Sequence, residues 1–94
     1  MSGTWPVVTA FAAEMENKLA ENRHKGDREG WLKDTPEALL ERLDEEVTEL
    51  KEAVRLMKTL PPSEVTKMRV TQEAADVGNF AMMVADVCGG LKVK

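Results

Sequence analysis

The sequence predicts an all-α fold, an antiparallel helical bundle of about three main helices per chain. Three observations point there. Ala, Leu, Glu and Lys abound while Tyr is absent and only Trp5, Phe11, Trp31 and Phe80 are aromatic, a composition that favours helix over sheet. Apolar residues recur at alternating spacings of four and three along two long stretches, the seam of a bundle helix. Proline, glycine and hydroxyl residues fall where such helices would start and stop.

Helix one is expected from about Trp5-Pro6 to Asn22 or His24, with Val8, Phe11, Ala12, Met15 and Leu19 on one face. A polar connector follows over residues 25–34, carrying two glycines and mixed charge. Thr35-Pro36 starts helix two, because the Thr hydroxyl caps orphan N–H groups and Pro is preorganised at the first helical position. This helix spans roughly 36 to 59. Pro61-Pro62-Ser63 stops it and caps helix three, which runs from about 63 to 88 before Gly89-Gly90 ends it. Leu91 to Lys94 are too few for a fourth helix of any length. Residues 1–94 are therefore expected to form a single domain.

Size and charge exclude much. Ninety-four residues leave no room for a Rossmann unit, a TIM barrel or a kinase. A chain this small buries a modest share of its surface, and its one cysteine, Cys88, cannot pair within the chain. Self-association is thus expected to complete the bundle, two chains pairing into a four-helix arrangement. No basic segment followed by an apolar stretch opens the sequence and no run of about 18 apolar residues occurs, so a cytoplasmic protein without a membrane partner is expected. A net charge of −4 argues against a nucleic-acid polymer as partner, since phosphate backbones call for a basic surface.

The helix faces carry the chemistry. On helix two, Leu39, Leu43, Glu46, Leu50, Ala53 and Met57 form the seam, and one member is a carboxylate. Glu45 and Glu49 flank it, within about 100° of arc. Helix three shows an apolar seam at Val70, Ala74, Val77, Ala81, Val84 and Cys88, with a second row at Glu73, Asp76, Phe80, Met83 and Val87. Glu-rich faces are commonly just solvated surface, and Arg69 at helical spacing can absorb part of the charge of Glu73. Against that, Glu46 interrupts an apolar stripe and a second i, i+3 carboxylate pair recurs on the next helix. If the helices fold back at Pro61-Pro62, Glu49 and Glu73 lie about equally far from the turn. Their oxygens then converge in a site suited to Mg²⁺ or Mn²⁺. A ferritin-like di-iron centre lacks its Glu-x-x-His pairs, zinc lacks ligands, and no motif surrounds a nucleophile. His24 is read as a surface residue and Cys88 as core filling.

Glu45-Glu46-Val47-Thr48-Glu49 followed after 23 residues by Glu73-Ala74-Ala75-Asp76 resembles the EExxE and ExxD pair of the MazG-like, all-α nucleoside triphosphate pyrophosphohydrolases. Phe11 to Leu19 with Glu21-Asn22, the Lys25-Gly26 connector ending in Trp31, and Asp76-Val77-Gly78-Asn79-Phe80 are similar to the short single-domain members of phages and bacteria. The connector is longer than the compact Lys-Gly-Gly-Trp form. The resemblance implies cleavage of a nucleoside triphosphate between the α- and β-phosphates, giving the monophosphate and pyrophosphate. It implies Glu46, Glu49, Glu73 and Asp76 as Mg²⁺ ligands, and a homodimer or a dimer-of-dimers tetramer as the assembly. Glu45 has three readings: a further Mg²⁺ site, acceptor of a proton from the attacking water, or a solvent-facing acid.

For the substrate, Asn79 shares the acidic face and offers hydrogen bonds to base, sugar or phosphate, or between helices. Lys18, Asn22 and Lys25 lie near the end of helix one, in a segment, residues 18–33, with five Lys/Arg against three Asp/Glu. Trp31 either stacks on a base or closes the core beneath the connector. Two other readings stand beside the enzyme: a helical oligomerisation module whose acids are surface charge, and a protein that binds nucleotide without turnover.

Overall fold

A computed structural model describes residues 5–93, and among them every regular element is helical. Helix α1 spans Pro6–Glu21 and is followed by a 3₁₀ turn, Arg23–Lys25. A four-residue helix, α2, covers Arg28–Trp31, and two long helices, α3 (Pro36–Thr59) and α4 (Glu64–Val87), complete the chain. The connector predicted as loop thus contains helical turns. Gly26, at φ +116°, breaks the chain between them.

The long helices begin and end where the sequence signals lie. Thr35 Oγ1 accepts a hydrogen bond from the Ala38 N–H at 3.1 Å, and Ser63 Oγ from that of Thr66 at 3.1 Å. At the far end Gly89 takes φ +81° and donates to the Asp86 carbonyl, while the Gly90 N–H reaches the Ala85 carbonyl, a Schellman closure that needs a residue at ease with positive φ. The Pro61-Pro62 segment folds α4 back along α3, and α1 packs on α4. That second contact is close because α4 offers Gly78. A Cβ there would meet the Phe11 ring at 3.0 Å and Met15 Sδ at 3.4 Å.

The inward face of α3 follows the predicted seam, with Leu39 and Ala53 buried and Leu43, Glu46, Leu50 and Met57 half-buried. On α4 the buried row differs from the predicted one. Ala75, Asn79 and Asp86 are enclosed, whereas Ala81 and Cys88 are exposed, so Cys88 is not core filling in this chain. The reason is that α4 is packed by both α3 and α1, with Asn79 tied to Met15 of α1, while Asp86 is covered by Arg28 and Trp31 of α2. His24 is exposed, as predicted.

The fold leaves much apolar surface uncovered. Val7, Val8, Val65 and Met68 are all more than half exposed, and only Leu39, Ala53 and Ala75 are fully buried apolar residues among those described. The radius of gyration, 14.7 Å, exceeds the roughly 12 Å of a compact domain of this length. Among the described residues no helix is long and apolar enough to cross a membrane.

Candidate metal centre

Antiparallel pairing of α3 and α4 brings Glu46, Glu49 and Glu73 together, with one oxygen of each within 4.8 Å of the others. Glu46 and Glu49 are separated by a turn of α3, and Glu73 faces them from α4. Glu46 and Glu73 are half-buried and Glu49 is exposed. Burial pushes the Glu46 carboxyl up to about 7, helped by a hydrogen bond to Glu49 and by the charges of Glu49, Asp76 and Glu73. Negative charge at Glu46 therefore lacks compensation within the cluster. All six oxygens are hard donors, and neither His24 nor Cys88 is among them, so the trio could hold a divalent cation through oxygen ligands alone.

Asp76 lies beside this trio rather than within it. Burial does most to push its carboxyl above the ordinary Asp value, and the nearby Lys18 opposes that shift. Lys18 Nζ is 3.8 Å from Asp76 and 3.4 Å from Glu21, so this lysine, expected near phosphate, is held by carboxylates. Arg69 pairs with Glu73 at 3.5 Å, as the helical spacing predicts. Glu45 is exposed and stands apart from the converging oxygens.

A cleft of about 440 Å³ adjoins the acids. Glu46, Asp76 and Lys18 lie on its lining, together with Asn22, Lys25, Trp31 and Asn79, so every substrate residue expected from the sequence borders it. Their side chains are not equally free. Asn22 Nδ2 donates to the Lys18 carbonyl at 3.0 Å, closing the end of α1. Asn79 is 4% exposed and its Nδ2 donates across helices to the Met15 carbonyl at 3.0 Å, leaving Oδ1 buried without a partner among the described residues. Trp31 is half-buried, with its indole N–H donated to Asp86 at 2.9 Å. Lys25 is exposed and has no ion pair among the described residues.

Three residues of this region were missed in the sequence. Arg42 lines the cleft and stacks over Phe80, 5.0 Å from the ring centroid. It lies one helical turn before Glu46, a spacing that marks it as a neighbour of the acids. Asp86 accepts paired hydrogen bonds from Arg28, both at 2.8 Å. A lone acid within the apolar stretch of residues 80–88 is the same kind of interruption that singles out Glu46. Arg28 carries no such sign. No protein-family model, curated protein or solved structure matches this chain.

Proposed function

We propose that this chain hydrolyses nucleoside triphosphates between the α- and β-phosphates in a Mg²⁺-dependent reaction, releasing the monophosphate and pyrophosphate. The observation that carries the reading is the convergence of Glu46, Glu49 and Glu73, of which Glu46 also lines, with Asp76, a cleft that bears Lys18, Lys25, Arg42 and Trp31. The order and gap of the EExxE and ExxD segments support it.

Glu46, Glu49 and Glu73 would hold the cation, with Asp76 adjacent as a fourth carboxylate. Bound Mg²⁺, or Mn²⁺ in its place, neutralises charge on phosphate oxygens and acidifies a coordinated water. The chain supplies the rest. Lys25 and Arg42 offer donors to phosphate oxygens, and Lys18 restrains Asp76. Trp31 presents a π-surface for a base. Asn79, on the cleft lining, ties α4 to α1 by donating its Nδ2 to the Met15 carbonyl.

The exposed valines of α1 and α4 and the few buried apolar residues favour a self-associating bundle, a homodimer or a dimer of dimers. Light scattering is expected to show a mass at least twice that of the chain, and a clean monomer would contradict this. The activity is tested by incubating the protein with Mg²⁺ and a panel of ribo- and deoxynucleoside triphosphates and resolving products by anion-exchange chromatography. Monophosphate with pyrophosphate is the expected pair. Diphosphate with orthophosphate would overturn the site of cleavage, and no turnover of any nucleotide would favour nucleotide binding without turnover or the oligomerisation module.

A further inference from the structure

The segment between α1 and α3 forms one wall of the cleft through Lys25, Gly26, Asp27, Gly30, Trp31 and Asp34. Its own hydrogen bonds are short-range: Lys25 to Asn22, Gly26 to Arg23, Gly30 to Asp27, Lys33 to Gly30 and Asp34 to Trp31. Arg23 pairs with Asp27 four residues on. Bonds of this kind shape the segment without fixing where it sits on the bundle. Among the described residues, the hydrogen bonds that tie it to α4 all end on Asp86. Arg28 Nε and Nη2 donate to its two oxygens at 2.8 Å each, and Trp31 Nε1 donates to Oδ2 at 2.9 Å.

Asp86 has little reason to be where it is on α4's own account. It lies in the last turn of that helix, where the helix dipole disfavours an anion, and its side chain is only 5% exposed. A buried carboxylate at a helix C-terminus persists only when donors satisfy it, and here all of them come from the cleft wall. The forked Arg28 contact fixes direction as well as distance, and the indole bond sets the ring of Trp31 with its N–H edge on α4.

We propose that Asp86 is a positioning residue for substrate binding: through Arg28 and Trp31 it holds the segment of residues 25–34 in place as the substrate-facing wall of the cleft. The inference rests on the reading of the cleft as a nucleotide site. The wall is anchored ten residues along α4 from Asp76, so loosening it leaves the carboxylate cluster intact. Substrate then binds a wall that must first be ordered, which weakens binding and spares the chemical step.

The test compares Asp86→Asn and Trp31→Phe with the parent, all in a Trp5→Phe background that leaves Trp31 the sole tryptophan wherever it is retained. Asp86→Asn is expected to raise KM by about tenfold or more, with kcat within about threefold and the Mg²⁺-induced thermal shift unchanged. Its Trp31 emission should move to the red and become more accessible to acrylamide quenching. Trp31→Phe keeps an aromatic, though smaller, ring and loses the N–H, and is expected to raise KM without changing the Mg²⁺ response. Unchanged KM and unchanged Trp31 emission in Asp86→Asn would overturn the proposal. So would a parallel loss of kcat, Mg²⁺ response and thermal stability, which marks a fold staple alone. If the parent turns over no nucleotide, the hydrolase reading fails, and the emission and quenching of Trp31 still decide whether Asp86 holds the wall.

Discussion

Glu49→Ala is expected to lower turnover by at least about 10²-fold, and up to about 10⁴-fold, because a divalent cation supplies several kcal/mol of transition-state stabilisation and this change removes one of its three converging ligands. Glu49 is exposed on α3, so its truncation opens no cavity. It also removes the carboxylate whose charge repels Glu46 more than that of Asp76 or Glu73, so the metal-free protein should be no less stable than the parent. Loss of activity without loss of fold separates a ligand from a structural acid. Glu52→Ala is the control, one turn further along α3 and engaged with Arg55 instead of the cluster, and it is expected to leave turnover unchanged. Anion-exchange product assays with thermal melts on the same samples check both variants. Equal activity in Glu49→Ala and the parent would remove the carboxylate trio from the reaction.

Without metal, the protein is expected to lose stability as the pH rises from about 4.5 to about 7. Glu46 ordinarily titrates near 4.5, and in the fold its carboxyl is pushed up to about 7. Over that window the native state therefore holds a proton that the unfolded chain has released. Linkage then makes stability fall with rising pH: the contribution is complete below 4.5 and gone once the pH passes the folded value. The shift corresponds to about 3 kcal/mol at face value and about 1–2 kcal/mol after the solvent screening of a half-exposed group, or roughly 5–15 °C in Tm for a domain of this size. Asp76, also raised, acts in the same direction. Asp86 acts oppositely. Its donors Arg28 and Trp31 hold its carboxyl down at about 2, so its contribution is present above the usual Asp value and is lost as the pH falls toward 2. The metal-free optimum thus lies near pH 4–5, between the two effects. Bound Mg²⁺ requires deprotonated ligands, so its stabilisation grows over the window in which the apo protein weakens. Melts in EDTA across pH 4.5–7.5 should show the fall, and Glu46→Gln should remove most of it. A flat or rising profile in EDTA would contradict the buried-carboxylate account.

Much of the architecture was legible because it is encoded locally. Thr35 with Pro36, Ser63 after two prolines, and Gly89-Gly90 bound the helices to within a residue or so, since caps act over three or four positions. The acidic trio was legible because Glu46 breaks an apolar seam and a four-residue turn fixes the register of the next helix. The buried row of α4 was not. That helix carries Ala, Val and Met on most of its sides, so periodicity chose the row through Ala81 and Cys88, and only the packing of α1, α3 and the α2 segment on it selects Ala75, Asn79 and Asp86. The anchoring of the cleft wall was equally hidden. Arg28 and Asp86 are 58 residues apart, and nothing local to either indicates the other. Lys18 was read from its neighbours in sequence as a phosphate contact, while its spatial neighbour Asp76 lies on a different helix.

The central claim is that Glu46, Glu49 and Glu73 form a divalent-cation site that makes the adjoining cleft catalytic. Its most direct test is the thermal unfolding of EDTA-stripped protein at pH 7, titrated with Mg²⁺, for the wild type and Glu49→Ala. The account predicts a saturable rise in Tm for the wild type that is absent in Glu49→Ala. No rise in the wild type, or an equal rise in both proteins, would contradict it.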